Sequence, residues 1–258
     1  MIDTDFYLSK LLENTFVIFL FHGVIKDQNT GIRNYTRKHL PAEEFEILIK
    51  KLKVKGNSIS MDDVIWHKEN GVKIPPYSYA INFDDGFDNN YSMAAPILEK
   101  YSTSATFYVS TNLVDNNLMT WIDQIEYCFE NMNQASVQLP WKNNSFNLNG
   151  NESKIDCLED IRTQVKKSPN LYDPEKVVTT IFNQCIVNMV TSNDDPLDQK
   201  MNWNQVSELQ HNKLFTVGGH THNHESLGLS ESKVMKNEIA TSINFLKSKA
   251  GISSHHYS

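Results

Sequence analysis

The chain has 258 residues, of which 40% are hydrophobic, and a formal net charge of −7 at pH 7. This length suffices for one large domain with a substantial core, and the negative charge argues against nucleic acid or an anionic membrane as the main partner. Three cysteines without a CxxC pair are typical of unpaired thiols in a reducing compartment. No apolar window approaches the length of a membrane span and the N-terminus lacks a signal-peptide pattern, so the sequence predicts a cytoplasmic protein.

Strand and helix patterns alternate along the chain, as they do in folds built from βα units. The predicted strands cover residues 16–24, 58–61, 77–83, 104–110 and 214–218. The predicted helices between and after them cover residues 41–53, 93–101, 203–210 and 230–249. Residues 111–201 are rich in Asn, Gln and Asp and contain three further predicted helices, at 122–132, 158–166 and 174–190. This segment is interpreted as a largely helical insertion.

The residues outside the insertion suffice for about five or six βα units, fewer than the eight of a complete barrel. The chain ends directly after a predicted helix, where another strand is expected. The sequence therefore predicts a single domain over residues 1–258 that forms a distorted, incomplete (β/α) barrel without its C-terminal elements. Such a barrel exposes strand edges, which favour a homo-oligomer.

Two adjacent carboxylates, Asp84 and Asp85, follow the predicted strand at 77–83 and precede Gly86. Repulsion makes adjacent charges at a strand end unfavourable unless they share a cation or a proton. Since neighbouring strand residues point to opposite faces, both carboxylates reach one pocket only where the strand breaks, which Gly86 permits. Asp-Asp-Gly is also a common turn sequence, so this motif alone is weak evidence of catalysis.

Histidines recur at positions i and i+4 after the predicted strand at 214–218. His220 and His224 share one side of the chain in either an extended or a helical segment, whereas His222 joins them only where the segment is extended. Two glycines before them permit a sharp turn. A lone His-x-x-x-His pair is often a feature of a helix surface, so this motif alone is also weak evidence of a metal site.

The two motifs together are more specific than either alone, because each follows a predicted buried strand. Catalytic groups of parallel α/β barrels lie at the C-terminal ends of the strands. One carboxylate and two neutral imidazoles bind Zn²⁺ or a similar ion and leave positions for water and a substrate oxygen. A second carboxylate near that ion can remove a proton from the water. The pattern predicts metal-assisted hydrolysis of an amide or an ester.

These motifs resemble those of the polysaccharide deacetylases with NodB homology, carbohydrate esterase family 4. The family motif Thr-Phe-Asp-Asp-Gly matches residues 82–86 with Asn82 in place of Thr, and His-Ser/Thr-x-x-His matches residues 220–224 in full. Residues 21–24 are similar to the Tyr-His-x-Val start of many members from exopolysaccharide loci. The resemblance covers nearly the whole chain and implies a bacterial enzyme with a distorted barrel that hydrolyses N-acetyl or O-acetyl groups of sugars.

The resemblance also implies roles for individual residues. Asp84 would be the general base, and Asp85, His220 and His224 would bind the divalent metal, with Zn²⁺ the expected ion. Asn82 lies outside the ligand set, so its difference from Thr leaves these roles unchanged. The expected partner is an acetylated polysaccharide or oligosaccharide substrate.

The C-terminus departs from the family pattern. Family members continue into a strand with a Tyr-Pro-x-Gly or Arg-Pro motif and a later Leu-His segment, which supply an oxyanion-stabilising N–H and a general acid. The chain ends before these motifs, and we therefore expect weak activity, because loss of either group costs about 10²–10⁴ in rate. The imidazoles considered as substitutes are His22, His255 and His256. His22 is assigned to substrate binding and fits a hydrogen-bonded strand end equally well, whereas the other two fit an exposed terminus.

Two other functions stay open at this point. One is a non-catalytic remnant that keeps metal or glycan binding or serves as a partner for another protein. The other is hydrolysis of a small amide or formyl group on a nucleotide- or lipid-linked sugar at the same metal site.

Overall fold

A computed structural model of the chain describes residues 2–26, 31–133, 136–168, 171–253 and 257–258. Its main feature is a parallel β-sheet with helices between the strands, which confirms the predicted α/β class. The strands are β1 (Phe16–Phe21), β2 (Gly23–Ile25), β3 (His39–Pro41), β4 (Asn57–Ser58), β5 (Ser78–Phe83), β6 (Ala105–Val109), β7 (Ser136–Val137), β8 (Phe146–Asn147) and β9 (Phe215–Gly219).

The helices separate these strands along the chain. They are α1 (Thr4–Ser9), α2 (Ala42–Lys55), α3 (Met61–Glu69), α4 (Ala95–Lys100), α5 (Thr111–Asn116), α6 (Trp121–Asn131), α7 (Asn151–Lys167), α8 (Pro174–Cys185), α9 (Trp203–His211) and α10 (Ser232–Ala250). Short 3₁₀-helices lie at Ile32–Asn34 and Leu227–Leu229, and a π-helix at Asn90–Ala94 precedes α4. Within the described residues, no helix combines the length and the apolar character needed to cross a bilayer.

The sheet has the order β1–β5–β6–β9, with β4 also paired to β5, and all of these pairs are parallel. Every residue of β5, β6 and β9 is buried, as is typical of parallel strands that are covered on both faces. Because the strands are parallel, their carboxyl ends meet at one edge. His22, Asp84 and His220 follow β1, β5 and β9 at that edge.

A row of buried aromatic rings crosses the strands of this sheet. Phe83 lies with its ring centroid 5.7 Å from that of Phe21 and 5.2 Å from that of Phe107. Phe107 in turn lies 5.4 Å from Phe215 in an edge-to-face arrangement. Since aromatic pairs add about 0.5–1.5 kcal/mol each beyond their buried area, the row ties β1, β5, β6 and β9 together.

The chain divides into two compact units. The first comprises Met1–Gln28, Lys38–Asn117 and Gln199–Ser258 and contains the parallel sheet. The second comprises Asn29–Arg37 and Leu118–Asp198 and contains α6, α7, α8 and the antiparallel pair β7–β8. The helical character predicted for the insertion matches this second unit, although α5 lies in the first unit and residues 29–37 lie in the second.

The first predicted strand, residues 16–24, is two strands in the structure. β1 ends at Phe21, and after His22 the chain enters β2, which pairs with β3 instead of β5. A Cβ atom on Gly23 would lie 2.0 Å from Nδ1 of His39, so only glycine permits this close approach. The periodicity of the sequence does not reveal the break, because both segments are apolar.

The predicted strand at 58–61 was also too long. β4 ends at Ser58, and α3 begins at Met61. The hydroxyl of Ser60 accepts a hydrogen bond from the backbone N–H of Asp63 at 3.0 Å, and the Asp63 carboxylate accepts one from the backbone N–H of Ser60 at 3.0 Å. This capping box starts the helix and ends the strand.

Candidate active site

The carboxylates of the first motif lie directly after β5. The backbone N–H of Asp84 donates to the main-chain oxygen of Phe21 at 3.1 Å, which extends the β1–β5 pairing by one residue. The strand then breaks, because Asp85 and Gly86 have φ angles of +74° and +79°. This break allows two neighbouring carboxylates to lie at the same edge of the sheet, and both are buried.

The histidines of the second motif lie in a loop after β9. The backbone N–H of His220 donates to the main-chain oxygen of Val109 at 2.9 Å, so the loop begins beside the end of β6. Thr221 and His224 have φ angles of +60° and +61°. These left-handed residues turn the chain so that the His220 and His224 rings approach within 5.1 Å, measured between centroids.

One carboxylate oxygen lies between the two imidazoles. Oδ1 of Asp85 is 3.1 Å from Nε2 of His224 and 3.5 Å from Nε2 of His220. Asp84 is also near, with Oδ2 4.0 Å from Nε2 of His220. The structure therefore brings together all four residues of the two motifs.

The geometry of this cluster fits a tetrahedral metal ion. The donor atoms of Asp85, His220 and His224 all lie within 4.8 Å of one another. Ligands about 2.0–2.1 Å from a tetrahedral Zn²⁺ lie about 3.3 Å apart, close to the separations from Asp85 to the two imidazoles. In addition, Oδ1 of Asp84 is a buried carboxylate oxygen without a hydrogen-bond partner among the described residues. Asp85, His220 and His224 can thus hold a divalent cation, with the carboxylate of Asp84 beside it.

The two carboxylates have pKa values shifted in opposite directions. Burial opposes ionisation of Asp85, yet the imidazoles of His224, His22 and His220 together outweigh it and hold the pKa of Asp85 well below its usual value. Burial raises the pKa of Asp84, although the His220 imidazole opposes the shift, and the neighbouring Asp85 charge adds to it. Asp85 is thus the more acidic member of the pair, and Asp84 is the better proton acceptor.

Ser258 contacts both motifs. Its hydroxyl donates to Oδ2 of Asp84 at 3.2 Å, and its main-chain oxygen lies 3.1 Å from Nδ1 of His220. Tyr257 forms a parallel bridge to Gly219, which brings Ser258 to the end of β9. A hydrogen bond at Nδ1 of His220 leaves Nε2 as the nitrogen that can bind a metal.

His22 lies near the same carboxylates, directly after β1. Its imidazole is close enough to Asp84 and Asp85 to lower the pKa of each. The side chain of Asn90 donates to the main-chain oxygen of His22 at 2.8 Å, which fixes the backbone there. His22 is half-buried.

Other residues considered from the sequence lie elsewhere. Nδ1 of His222 lies 2.9 Å from the hydroxyl of Thr111, and its ring packs against Phe245, so it does not join the cluster. His255 and His256 lie outside the described residues. The contacts of Ser258 were not predicted, because a serine at the end of a chain carries no recognisable pattern.

Glu238 was also missed, although the sequence holds a weak signal for it. It begins a row with Ser242 and Leu246 at positions i, i+4 and i+8, and these are the buried residues of α10. A carboxylate on the buried row of a helix implies a polar partner.

Comparison with known proteins shows which family this chain is similar to. Residues 72–258 match the family model for polysaccharide deacetylase. A poly-beta-1,6-N-acetyl-D-glucosamine N-deacetylase of Staphylococcus aureus (strain MSSA476) is 31% identical over 128 residues, which are 45% of this chain and 43% of the relative. The match thus spans less than half the length of the curated relatives.

Solved structures share the fold. The Streptococcus pyogenes deacetylase PplD, in complex with acetate, has a TM-score of 0.55 and 14% identity, covering 95% of this chain and 73% of its own. IcaB from Ammonifex degensii has a TM-score of 0.53 and 14% identity, covering 95% and 74%. A de-N-acetylase from Aggregatibacter actinomycetemcomitans has a TM-score of 0.52 and 15% identity, covering 93% and 76%.

Proposed function

This chain belongs to the polysaccharide deacetylase family, and we propose that it is a metal-dependent hydrolase that removes N-acetyl groups from amino sugars of a polysaccharide. The observation that carries the proposal is the position of Asp85 between His220 and His224, with Asp84 beside them. This arrangement supplies three metal ligands and a separate proton acceptor in one place.

The proposed roles follow from the electrostatics of the two carboxylates. Asp85, with its lowered pKa, serves as an anionic ligand together with His220 and His224. When bound, a divalent cation supplies charge that polarises the acetyl carbonyl and acidifies water. Asp84, with its raised pKa, accepts a proton from the water that attacks the carbonyl carbon.

The leaving amine needs a proton when the C–N bond breaks, and we assign this step to His22. The water oxygen becomes part of acetate, and the sugar nitrogen leaves as an amine after protonation. His22 lies near both carboxylates and is not one of the three ligands. Histidine is the most common general acid of enzymes.

The proposed metal is Zn²⁺, and the proposed substrate is a β-1,6-linked N-acetylglucosamine polymer. Two imidazoles and one carboxylate suit zinc better than magnesium or calcium, which prefer oxygen ligands. The substrate class rests on the Staphylococcus aureus relative, whose name specifies that polymer.

The test is acetate release from β-1,6-linked N-acetylglucosamine oligomers in the presence of Zn²⁺, with β-1,4-linked oligomers as the comparison substrate. Asp84→Asn is expected to lower the rate by about 10²–10⁴-fold, because the general base is lost while the three ligands stay. The matched control is Asp156→Asn, which changes an exposed carboxylate of α7 and should leave the rate unchanged.

Bound zinc measured by elemental analysis separates the remaining outcomes. Zinc without acetate release from either substrate would favour a non-catalytic binding protein and overturn the hydrolase proposal. Release from the β-1,4 oligomers alone would keep the hydrolase and overturn the proposed linkage.

A further inference from the structure

The buried carboxylate of Glu238 binds the loop that carries the two histidines. Glu238 lies in α10 with a relative exposure of 4%. Its Oε2 accepts hydrogen bonds from the backbone N–H groups of His222 at 2.9 Å and Asn223 at 2.7 Å. Its Oε1 accepts a third, from the side-chain amide of Asn223 at 2.7 Å. We propose that Glu238 is a positioning residue that holds His220 and His224 in the geometry needed to bind the metal, an inference that rests on the proposed function.

The loop is held from a second side by α5. The backbone N–H groups of Thr111 and Asn112 donate to the main-chain oxygens of Thr221 at 3.2 Å and His222 at 2.9 Å. The N–H groups of His222 and Asn223 therefore point to α10, and the carbonyl groups of Thr221 and His222 point to α5. Because both sides of the backbone between His220 and His224 are bonded, the loop has little freedom to move the imidazoles apart.

A row of side-chain amides, each donating to the next, connects α5 with Glu238 of α10. The side-chain amide of Asn116 donates to Oδ1 of Asn112 at 2.7 Å, and the amide of Asn112 donates to Oδ1 of Asn223 at 2.8 Å. The amide of Asn223 then donates to Glu238, which ends the row. A carboxylate only accepts hydrogen bonds, so it fixes the direction of every amide before it. A glutamine in its place would turn an N–H₂ group towards that of Asn223 or force the row to reverse.

This directionality gives a test by exchange of the two partners. Glu238→Gln replaces a charged acceptor with a neutral amide and either opposes two amide donors or reverses the row. It should weaken zinc affinity by about 10–100-fold, the range for loss of a residue that orients metal ligands. Adding Asn223→Asp restores one carboxylate and one amide, and the new carboxylate still accepts from Asn112. The double variant should therefore regain most of the affinity, whereas Asn223→Asp alone places two carboxylates together and should weaken it.

Zinc affinity is measured by competition with a chromophoric chelator, and unfolding by urea is measured for each variant without metal. The proposal expects weaker zinc binding in Glu238→Gln, rescue in the double variant and a folded metal-free protein. Unchanged affinity in Glu238→Gln would overturn the positioning role while leaving the metal site intact, and so would lack of rescue in a folded double variant. Absence of zinc binding in the unsubstituted protein would instead overturn the metal site itself, and the positioning role with it.

Discussion

Oδ1 of Asp85 lies 3.1 Å from Nε2 of His224, and both residues have left-handed backbone conformations, with φ angles of +74° and +61°. Such angles are uncommon for residues with a Cβ atom, and each costs of order 1–3 kcal/mol. The carboxylate and the imidazole thus meet because two loops adopt unfavourable conformations. Residues beside them that relieve or permit those conformations are therefore expected to matter for stability.

Gly86 is the first such residue. Its φ is +79°, and a Cβ atom at this position would lie 2.8 Å from Cγ2 of Val114. Gly86→Ala should lower the free energy of unfolding by about 1 kcal/mol for the left-handed conformation, and by about 1–3 kcal/mol more for the crowding. Urea denaturation followed by circular dichroism measures this loss.

Gly71→Ala is the matched control for Gly86→Ala. Gly71 also has a positive φ, +63°, but a Cβ atom there meets nothing within 4 Å. This variant should lose only the conformational part, about 1 kcal/mol. Equal losses in the two variants would show that contact with Val114 contributes nothing, and that the break after β5 tolerates a side chain.

Zinc should stabilise the folded protein through His224 and leave His222 uninvolved. At a free zinc concentration one hundred times the dissociation constant, binding adds about 2.7 kcal/mol to the free energy of unfolding. His224→Ala should lose most of this increment, because the variant removes one of the three ligands. Urea denaturation with and without ZnCl₂ measures it.

The control for this experiment is His222→Ala. The His222 ring packs against Phe245 with centroids 4.7 Å apart, so the variant should be less stable without zinc. The zinc increment should nevertheless stay, since this ring lies outside the ligand cluster. Loss of the zinc increment in His222→Ala, or its survival in His224→Ala, would show that the proposed assignment of His224 as a metal ligand is wrong.

The sequence predicts the sheet well because its strands are buried and short. The apolar runs before Asp84 and before His220 correspond to β5 and β9, and their polar ends correspond to the carboxyl edge of the sheet. The ends of other elements depend on single contacts that no periodicity reports. The helix predicted at 174–190 ends at Cys185, because Ile186 adopts a left-handed conformation with φ of +55°.

The site is only partly predictable for a related reason. The motif residues are close to one another in sequence within each pair, so spacing alone brings His220 and His224 together. Glu238 and Ser258 reach the site through the packing of α10 and the pairing of Tyr257 with β9. Such contacts join distant segments, and a single sequence does not specify them. The expected cytoplasmic location, self-association and weak activity stay predictions.

The three cysteines should be unreactive in the folded protein. All three lie in the core of the second compact unit, here called the helical unit, and each has 0% exposure: Cys128, Cys157 and Cys185. Burial raises the pKa of Cys157 to about 12. Since the thiolate is the reactive form, both access and ionisation oppose modification of Cys157. A disulfide reagent such as 5,5′-dithiobis(2-nitrobenzoic acid) should therefore label no native cysteine within minutes at pH 8, and all three in guanidinium chloride.

The reactivity of Cys185 shows whether access or thiol ionisation controls modification. The Cys128 thiol interacts with the sulfur of Cys185, and this interaction lowers the pKa of Cys185 despite burial. If ionisation controlled the reaction, Cys185 would react first in native buffer. If access controls it, as the complete burial indicates, Cys185 reacts only as fast as the helical unit opens, while an exposed thiol introduced by Ser192→Cys reacts at once. Rapid labelling of Cys185 before unfolding would contradict the packing of α6 against α8.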